Sequence, residues 1–421
     1  MFTLIKNITN LITCKDSAKK PKKGKEQNKI DLINDGFVVY NRKGIFCVGK
    51  MIELNKILKK EKIILTDEID AKGKVVMPGF VDTHTHFVFA GSRSDEYEMR
   101  IRGFTYEEIA SKGGGIRVTV NAVRNISKEE LEKITIKRLK RFIEYGTTTI
   151  EGKSGYGLDL DNEIKILEVI KSLNKNNPYF LDLFPTFLGA HSIPSNKTKK
   201  EYINEICNEM IPEISRRKLA MFIDVFCEKD YFSPKETDKI LYTGRKFGLI
   251  PKVHTDQFNS IGGIKVALKN NAVSVDHLEV LTHRDIKLLS SAKHNIIATL
   301  LPGVSYFLDI PYPPARKLIE HNVPVALATD FNPGSCMTEN IQIIMSLASI
   351  KMKMSIEEII NAVTINAAYA IKYNNYIGSI EKGKQADIII FDTPSYKDII
   401  YNFGTNQIKT VIKKGNIILE R

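Results

Sequence analysis

The segment Val81-Asp-Thr-His-Thr-His86 holds the residues of this sequence best suited to chemistry, two histidines separated by one residue. Side chains two residues apart on a strand point to the same side, so His84 and His86 can bind one metal ion together. Such a pair also occurs on ordinary exposed strands. The positions of the other histidines therefore decide whether the pair indicates metal-dependent hydrolysis.

Apolar, strand-like runs alternate with helical patterns from about Val75 to Pro333. Between them lie stretches such as Asp161 to Leu173, whose apolar residues mark one helical face and for which Asp161 is the expected N-cap. The eight runs are Val75 to His86, Gly146 to Tyr156, Tyr179 to His191, Phe222 to Glu228, Leu249 to Gln257, Ala272 to Glu279, His294 to Gly303 and Pro324 to Gly334. Eight such units predict an α/β fold, a (β/α)8 TIM-type barrel.

Both ends of the chain show short strands and turns. The zone before Val75 is expected to be all-β, and β patterns return after two helical stretches, Thr338 to Met354 and Ser355 to Tyr373. Neither end is long enough for a comfortable core of its own. We predict one small composite β-sandwich domain built from residues 1–74 and 376–421, with the metal-dependent barrel at 75–375.

The composition is that of a globular protein with a large core, since 43% of its 421 residues are hydrophobic. No apolar run approaches the roughly 20 residues that span a membrane, and the first residues lack the pattern of a signal peptide. Five scattered cysteines without CxxC spacing indicate reduced thiols. A cytoplasmic location without a membrane partner is expected.

The formal charge of +13 is concentrated in one segment. Lys15 to Lys29 holds seven lysines against Asp16 and Glu26 and so contributes +5. With Pro21 and Gly24 inside it, this segment is predicted to be a solvated, flexible loop distant from the site. Without aromatic interleaving or a nucleic-acid motif, the charge does not favour a nucleic-acid partner.

Polar side chains concentrate where the predicted strands end, which is where a barrel of this kind places its active site. Five of the eight histidines lie there, together with a tyrosine and an aspartate: His84, His86, His191, His254, His277, Tyr156 and Asp330. Three imidazoles and one carboxylate, from His84, His86, His254 and Asp330, suit one Zn²⁺ or iron ion with a position left for water. A single histidine at a barrel rim has ordinary structural roles, but chance explains the whole set poorly.

The predicted chemistry is the activation of water. A bound metal ion lowers the pKa of its water from 15.7 to about 7. Asp330 is then the expected base, which takes the proton from that water and returns it to a leaving nitrogen. His277, in Val275-Asp-His-Leu-Glu279, is expected to orient the water or to polarise the carbonyl.

The chain resembles the amidohydrolase superfamily, and within it the enzymes that open an imidazolone ring in histidine degradation. The resemblance runs from about Met77 to Asp387. Its motifs are Asp82-Thr-His-Thr-His86, Phe89-Ala-Gly-Ser-Arg93, Gly113-Gly-Gly-Ile116, Lys153-Ser-Gly-Tyr-Gly157, Gly189-Ala-His191, Val253-His-Thr-Asp-Gln257, Val275-Asp-His-Leu-Glu279 and Thr329-Asp-Phe-Asn-Pro-Gly334. The Lys153 and Asp330 motifs are the most particular of these. Ser335 stands where this family often has threonine, and the Lys-rich segment is not part of its usual pattern.

The resemblance implies hydrolysis of 4-imidazolone-5-propanoate to N-formimidoyl-L-glutamate. Arg93 would clamp the propanoate carboxylate through its planar fork. Gln257, three residues beyond a metal ligand, would hydrogen-bond a ring nitrogen, which makes it a catalytic candidate with Asp330 and His277. The expected substrate-binding residues are Arg93, Tyr156, His191, Gln257, Asn332, Gly334 and Ser335.

Several alternatives stay open at this point. Metal ligands alone also fit another cyclic amidohydrolase, a heterocycle aminohydrolase or a noncatalytic metal-binding scaffold. Lys153 is either a structural residue or a carboxylated lysine that bridges two metals, and the resemblance favours a single divalent or trivalent ion. Zn and Fe accept the same ligands. The resemblance also suggests a homodimer.

Overall fold

The computed structural model describes residues 2–17, 19–104, 108–109 and 112–421. Its strands are β1 (Phe2–Ile12), β2 (Leu32–Asn41), β3 (Gly44–Lys50), β4 (Leu65–Asp70), β5 (Val75–Pro78), β6 (Phe80–Thr85), β7 (Thr147–Lys153), β8 (Asp182–Ala190), β9 (Phe222–Cys227), β10 (Ile250–Thr255), β11 (Ser274–His277), β12 (Ile297–Leu300), β13 (Val325–Leu327), β14 (Ile388–Phe391), β15 (Ile408–Lys413) and β16 (Asn416–Glu420). The α-helices of the described residues are α1 (Leu54–Glu61), α2 (Ser94–Ile101), α3 (Ile116–Asn125), α4 (Lys128–Glu144), α5 (Leu160–Asn176), α6 (Lys199–Glu205), α7 (Ile211–Arg216), α8 (Pro234–Lys246), α9 (Gly263–Lys269), α10 (His283–Ser290), α11 (Pro302–Leu308), α12 (Ala315–Glu320), α13 (Ile341–Met352), α14 (Ile356–Ala362), α15 (Ile365–Ala370) and α16 (Asp398–Tyr401).

The predicted barrel is confirmed. Strands β6 to β13 form one sheet in chain order, and each pairs in parallel with its neighbour. The ring is closed by the segment after β13, where Asp330 N donates to His84 O (2.9 Å) and His86 N donates to Phe331 O (2.9 Å). The closure thus sets Asp330 beside the two histidines of β6.

The termini join into one sheet, as predicted. Its order is β16-β15-β14-β5-β1-β2-β3, with β4 also paired to β1. The C-terminal strand β14 runs antiparallel to β5, so the two ends of the chain share one ladder of hydrogen bonds. Buried aliphatic residues from both ends form its core, among them Ile5, Val38, Ile388 and Ile412.

The strand expected over Val75 to His86 is two strands. Strand β5 belongs to the terminal sheet and β6 to the barrel. Gly79 lies between them, and a Cβ built there would lie 2.3 Å from Oγ1 of Thr148, so only glycine fits where the chain passes between the two sheets. The division at residues 74 and 375 stays a prediction, with Val75–Pro78 paired on the side of the terminal sheet.

The expectation that the first zone is all-β is wrong at α1, whose leucines and lysines are good helix formers. The N-cap of α5 is Asp159 rather than Asp161, because its carboxylate accepts from Asn162 N (2.8 Å). The helix expected over Ser355 to Tyr373 is divided into α14 and α15 at Thr364. These errors concern boundaries and leave the architecture unchanged.

The prediction that Lys15 to Lys29 is a solvated flexible loop is also wrong. A 3-10 helix spans Gly24–Asn28, and Gln27 is fully buried. Its side chain donates to Val325 O (3.1 Å) and accepts from Val325 N (3.1 Å) at the start of β13. Lys22 N donates to Oδ1 of Asn366 (2.8 Å). The segment therefore packs on the amino-terminal end of the barrel, opposite the strand ends that carry the candidate site.

Candidate active site

A cavity of about 340 Å³ lies at the carboxyl ends of the barrel strands. Every residue expected to act in metal binding, catalysis or substrate binding lines it, with the exception of His84, which is fully buried behind His86. The structure thus brings together residues that are as far apart in sequence as His86 and Ser335. Apolar side chains cover the rest of the wall, including Ile109, Ile116, Phe226, Leu308 and Ile310.

Five side chains at the floor of this cavity form two groups, sharing His84, whose ligand atoms lie close enough to hold a metal ion. Nitrogen atoms of His84, His86 and His254 lie within 4.8 Å of one another, and so do ligand atoms of His84, His277 and Asp330. Oδ1 of Asp330 is 3.4 Å from Nε2 of His84 and 3.4 Å from Nε2 of His86.

The floor fits a metal ion. Nε2 of His84, Nε2 of His254 and Oδ1 of Asp330 are buried, and none has a hydrogen-bond partner among the described residues. Buried polar atoms without partners are rare and costly. Nitrogen and carboxylate donors arranged in this way are those of mononuclear zinc and iron sites.

Two carboxylates that the sequence analysis left without a role hold the ligand rings. Nδ1 of His84 donates to Oδ2 of Asp276 (2.7 Å), and Nδ1 of His254 lies 2.8 Å from Oδ2 of Asp224. A carboxylate on Nδ1 fixes the tautomer in which Nε2 carries the lone pair and raises the basicity of the ligand. Asp276 lies within the motif around His277, but Asp224 is recognisable only from its place on β9 next to His254.

Behind these carboxylates lies a closed group of charges. Lys153 Nζ donates to Glu151 Oε1 (2.8 Å) and Asp224 Oδ2 (2.8 Å), and Lys252 Nζ donates to Glu151 Oε2 (2.5 Å). All of these side chains are inaccessible to solvent. A carbamate on Lys153 would set another negative charge between Glu151 and Asp224, so the geometry favours an unmodified lysine and a single metal ion.

Burial disfavours the charged form of two of the ligand rings, those of His84 and His254. It lowers the pKa of His254 to about 4 and the pKa values of His84 and His191 well below the ordinary value. Burial alone would raise the pKa of Asp330, but the neighbouring His86, followed by His277 and His254, lowers it. Neutral rings of His84 and His254 therefore lie beside the charged carboxylate of Asp330.

His277 lies on the other side of the ligand set, with its ring centroid 5.3 Å from that of His254. Its φ is 85°, and Leu278 follows at 73°, two non-glycine residues in the left-handed region. This backbone turns the ring into the cavity at the end of β11, where its Nδ1 is 3.3 Å from Oε1 of Glu279. Burial opposes the charged ring, yet Glu279 raises the pKa of His277 above the ordinary value.

The cavity also has a cationic region, formed by Arg93 and Arg100. Arg93 forms a side-on pair with Glu96, from Nε to Oε1 (2.9 Å) and from Nη2 to Oε2 (2.7 Å). Glu96 therefore occupies the Nε–Nη2 edge of the Arg93 guanidinium, and only the Nη1–Nη2 edge is left for a ligand carboxylate. Arg100, in the last turn of α2, donates through Nη2 to Gly334 O (2.9 Å). Glu96 and Arg100 both line the cavity, and the sequence analysis identified neither.

Asn332, Gly334 and Ser335 belong to the loop that contacts both Asp330 and Arg100. Oδ1 of Asn332 accepts from Gly334 N (2.8 Å) and Ser335 N (2.8 Å), and its Nδ2 donates to Asp330 O (2.7 Å) and Ser335 Oγ (2.8 Å). The amide of Asn332 is thus used within the loop. Its observed contacts hold the backbone that follows Asp330.

Aromatic side chains form the wall beside the histidines. The rings of His86 and His191 are stacked, with centroids 5.1 Å apart and an 18° interplanar angle. Tyr156 lies 5.7 Å from His86 and 5.5 Å from His191. Gly155 leaves room for this arrangement, since a Cβ there would lie 2.8 Å from Nδ1 of His191. A planar ring fits such a wall.

The whole arrangement suits hydrolysis of a small anionic ring compound. Metal ligands with a carboxylate, guanidinium groups and a flat aromatic wall all line the same cavity. No helix among the described residues has both the length and the apolar content needed to cross a membrane.

Comparison with known proteins agrees with this geometry. Two sequence models of the amidohydrolase family match the chain, at residues 232–418 and 67–116. Two curated relatives are named imidazolonepropionase. The protein from Flavobacterium johnsoniae is 46% identical over 99% of this chain and 100% of its own length, and that from Thermoanaerobacter pseudethanolicus is 44% identical over 98% and 97%.

Solved structures share the fold at low sequence identity. Guanine deaminase of E. coli gives a TM-score of 0.73 at 16% identity and covers 100% of this chain and 99% of its own. An adenosine deaminase from Xanthomonas campestris with bound zinc gives 0.72 at 15%, covering 99% and 93%. Because it is 44–46% identical to these curated relatives over nearly its full length, this chain belongs to the imidazolonepropionase family of amidohydrolases, hydrolases that act on the C–N bond of a cyclic amide.

Proposed function

We propose that this chain hydrolyses 4-imidazolone-5-propanoate to N-formimidoyl-L-glutamate in histidine degradation. One observation carries the proposal: a single cavity is lined both by metal-ligating side chains and by Arg93. The imidazolone ring would lie over the ligands while its propanoate reaches the guanidinium. A cavity for an uncharged base would need no such cation.

His84, His86, His254 and Asp330 would hold one divalent or trivalent metal ion, zinc or iron, in each chain. Such an ion supplies Lewis acidity and lowers the pKa of a coordinated water to about 7. Asp224 and Asp276 would keep the two histidines they contact in the tautomer that binds metal. The zinc-containing adenosine deaminase has the same fold, which agrees with this assignment.

Asp330 would move the proton. Its buried carboxylate is held charged at the floor, where it would accept a proton from the attacking water. The new C–O bond forms at the ring carbonyl carbon, the bond from that carbon to the adjacent ring nitrogen breaks, and Asp330 returns the proton to this nitrogen. His277, held by Glu279, would donate to the carbonyl oxygen as negative charge develops there.

The remaining residues would position the substrate. The free end of Arg93 would bind the propanoate carboxylate, since Glu96 already holds the other edge. His191 and Tyr156 would face the ring, and Gln257 would hydrogen-bond a ring nitrogen. Asn332 would act through the loop it organises, which presents Gly334 and Ser335 to the cavity.

The test is turnover of freshly generated 4-imidazolone-5-propanoate by the purified, metal-loaded protein. Loss of ring absorbance and N-formimidoyl-L-glutamate in the mass spectrum are expected, both dependent on metal. A folded, metal-occupied protein that forms no product would refute the proposal and direct the search to other cyclic amides and to amino-substituted heterocycles. The homodimer stays a prediction that light scattering after gel filtration can check, and the cytoplasmic location stays a prediction as well.

A further inference from the structure

Arg100 is the second guanidinium of the cavity, and its charge is not compensated by a partner. Its Nη2 donates to Gly334 O, while its Nη1 is buried without a hydrogen-bond partner among the described residues. It forms no ion pair with any described carboxylate, and the charge of Arg93 opposes its own, an effect that Glu96 only partly offsets. The ring of Phe307 lies 5.4 Å from its Cζ. A buried, unpaired donor on a cation is costly unless a ligand uses its charge.

Arg93, by contrast, is already neutralised. Glu96 is buried, with its two oxygens on Nε and Nη2 of Arg93, so the pair has no net charge. The three charged groups in this region of the cavity, Arg93, Glu96 and Arg100, therefore sum to +1. One carboxylate of the substrate balances that sum.

We propose that Arg100 determines the preference of this site for a carboxylate-bearing substrate, because it supplies the net positive charge that the paired Arg93 lacks. The inference rests on the proposed function and deepens it. Arg93 makes the contact, and Arg100 is a positioning residue with two effects. It holds the Gly334 carbonyl away from the incoming anion, and its field favours a carboxylate over a neutral group of the same shape.

Burial and then the charge of Arg93 lower the pKa of Arg100 from the ordinary value, against a smaller opposing effect of Glu96. The wall around them is apolar, with Ile109, Leu308 and Ile310 exposed to the same cavity. An apolar wall reduces screening, so a single uncompensated charge has a large effect on ligand choice.

The test measures the preference between two ligands rather than the rate of the reaction. Isothermal titration compares 3-(imidazol-4-yl)propanoate with 3-(imidazol-4-yl)propanamide, which differ only in charge at the end of the chain. The protein is expected to bind the acid about 30-fold more tightly than the amide, and Arg100→Met to reduce this ratio to about threefold or less. Loss of packing alone would weaken both probes equally and leave the ratio unchanged.

Three further variants sharpen the result. Arg100→Gln is a second neutral substitution, should the methionine variant fail to fold, and it is expected to lose the preference in the same way. Arg100→Lys keeps the charge and should retain most of the ratio. Arg102→Met removes the same charge from an exposed arginine paired with Glu98, and it should leave the ratio within about twofold of the parent.

The outcomes separate the two ideas. If the folded Met and Gln variants keep the parent ratio, Arg100 does not set the preference, and the proposed function is unaffected. If the parent protein binds acid and amide equally, carboxylate recognition is absent, and both the proposed function and this inference are overturned.

Discussion

Replacing Gly334 with alanine adds a single methyl group. This change should weaken substrate binding and leave the rest of the enzyme unaffected. The φ of Gly334 lies outside the left-handed region, so the backbone would accept alanine. A Cβ built there, however, lies 2.1 Å from Nη1 and 3.0 Å from Cζ of Arg93. Ordinary contact begins near 3.4 Å. In Gly334→Ala the guanidinium must therefore move by more than 1 Å, about the difference between these distances.

The two hydrogen bonds to Glu96 resist that movement. Hydrogen bonds to charged groups contribute about 1.5–3 kcal/mol each, so losing the equivalent of one of the two as Arg93 shifts should cost about 2 kcal/mol of substrate binding. At about 1.4 kcal/mol per tenfold, KM should rise roughly 30-fold. The turnover number kcat should change by less than about threefold, because neither Gly334 nor Arg93 belongs to the candidate metal ligands.

Steady-state kinetics on the imidazolone substrate measure this split, and a thermal melt checks that the fold is retained. Glu96→Ala provides the matched control, because Arg93 without its partner can swing away from the added methyl group. The double variant should then have a KM no higher than the worse single variant. A wild-type KM for Gly334→Ala, or increases that simply add, would refute the steric argument.

The other predictions concern the metal floor, the guanidinium and the base of the barrel. Asp330→Asn should lower kcat by about 10³-fold or more while the circular dichroism spectrum stays native, and substantial residual turnover would remove Asp330 as the essential base. Arg93→Ala should raise KM by about 100-fold with a smaller effect on kcat, and an unchanged KM would take Arg93 out of the substrate site. Gln27→Ala leaves Val325 N without its acceptor, and it should destabilise the fold by about 3 kcal/mol in a denaturant titration. Its kcat should be unchanged, and a parallel loss of activity would contradict the separation of the two barrel ends.

The buried charges beneath the metal floor explain why one motif could be read in two ways. Lys153 on β7 is a residue type that a two-metal site could use as a carbamate. The spacing of two residues on β7 already places Glu151 on the same side as Lys153, but the sequence does not show Asp224 beside them, because that residue comes from β9. Only the curvature of a closed barrel directs all three side chains into one interior layer.

Local pattern was enough to locate the strands and the metal ligands. Eight apolar runs with polar ends required a barrel, since buried parallel strands read as continuous apolar segments. The HxH spacing and the histidines at strand ends defined the floor, because parallel strands present their carboxyl ends on the same face. The composite sheet followed from the fact that neither end of the chain could bury a core alone.

Tertiary structure decided whatever depended on partners distant in sequence. Val75 to Pro78 belong to the terminal sheet because they form backbone hydrogen bonds with β14. The Lys-rich segment is ordered because the side chain of Gln27 hydrogen-bonds buried backbone groups of Val325 in β13. Glu96 binds one edge of the Arg93 guanidinium. Arg100 donates to Gly334 O and forms no ion pair with a described carboxylate. The pattern of residue types along a chain encodes which elements form, whereas hydrogen bonds and charge balance between them exist only once the elements have packed.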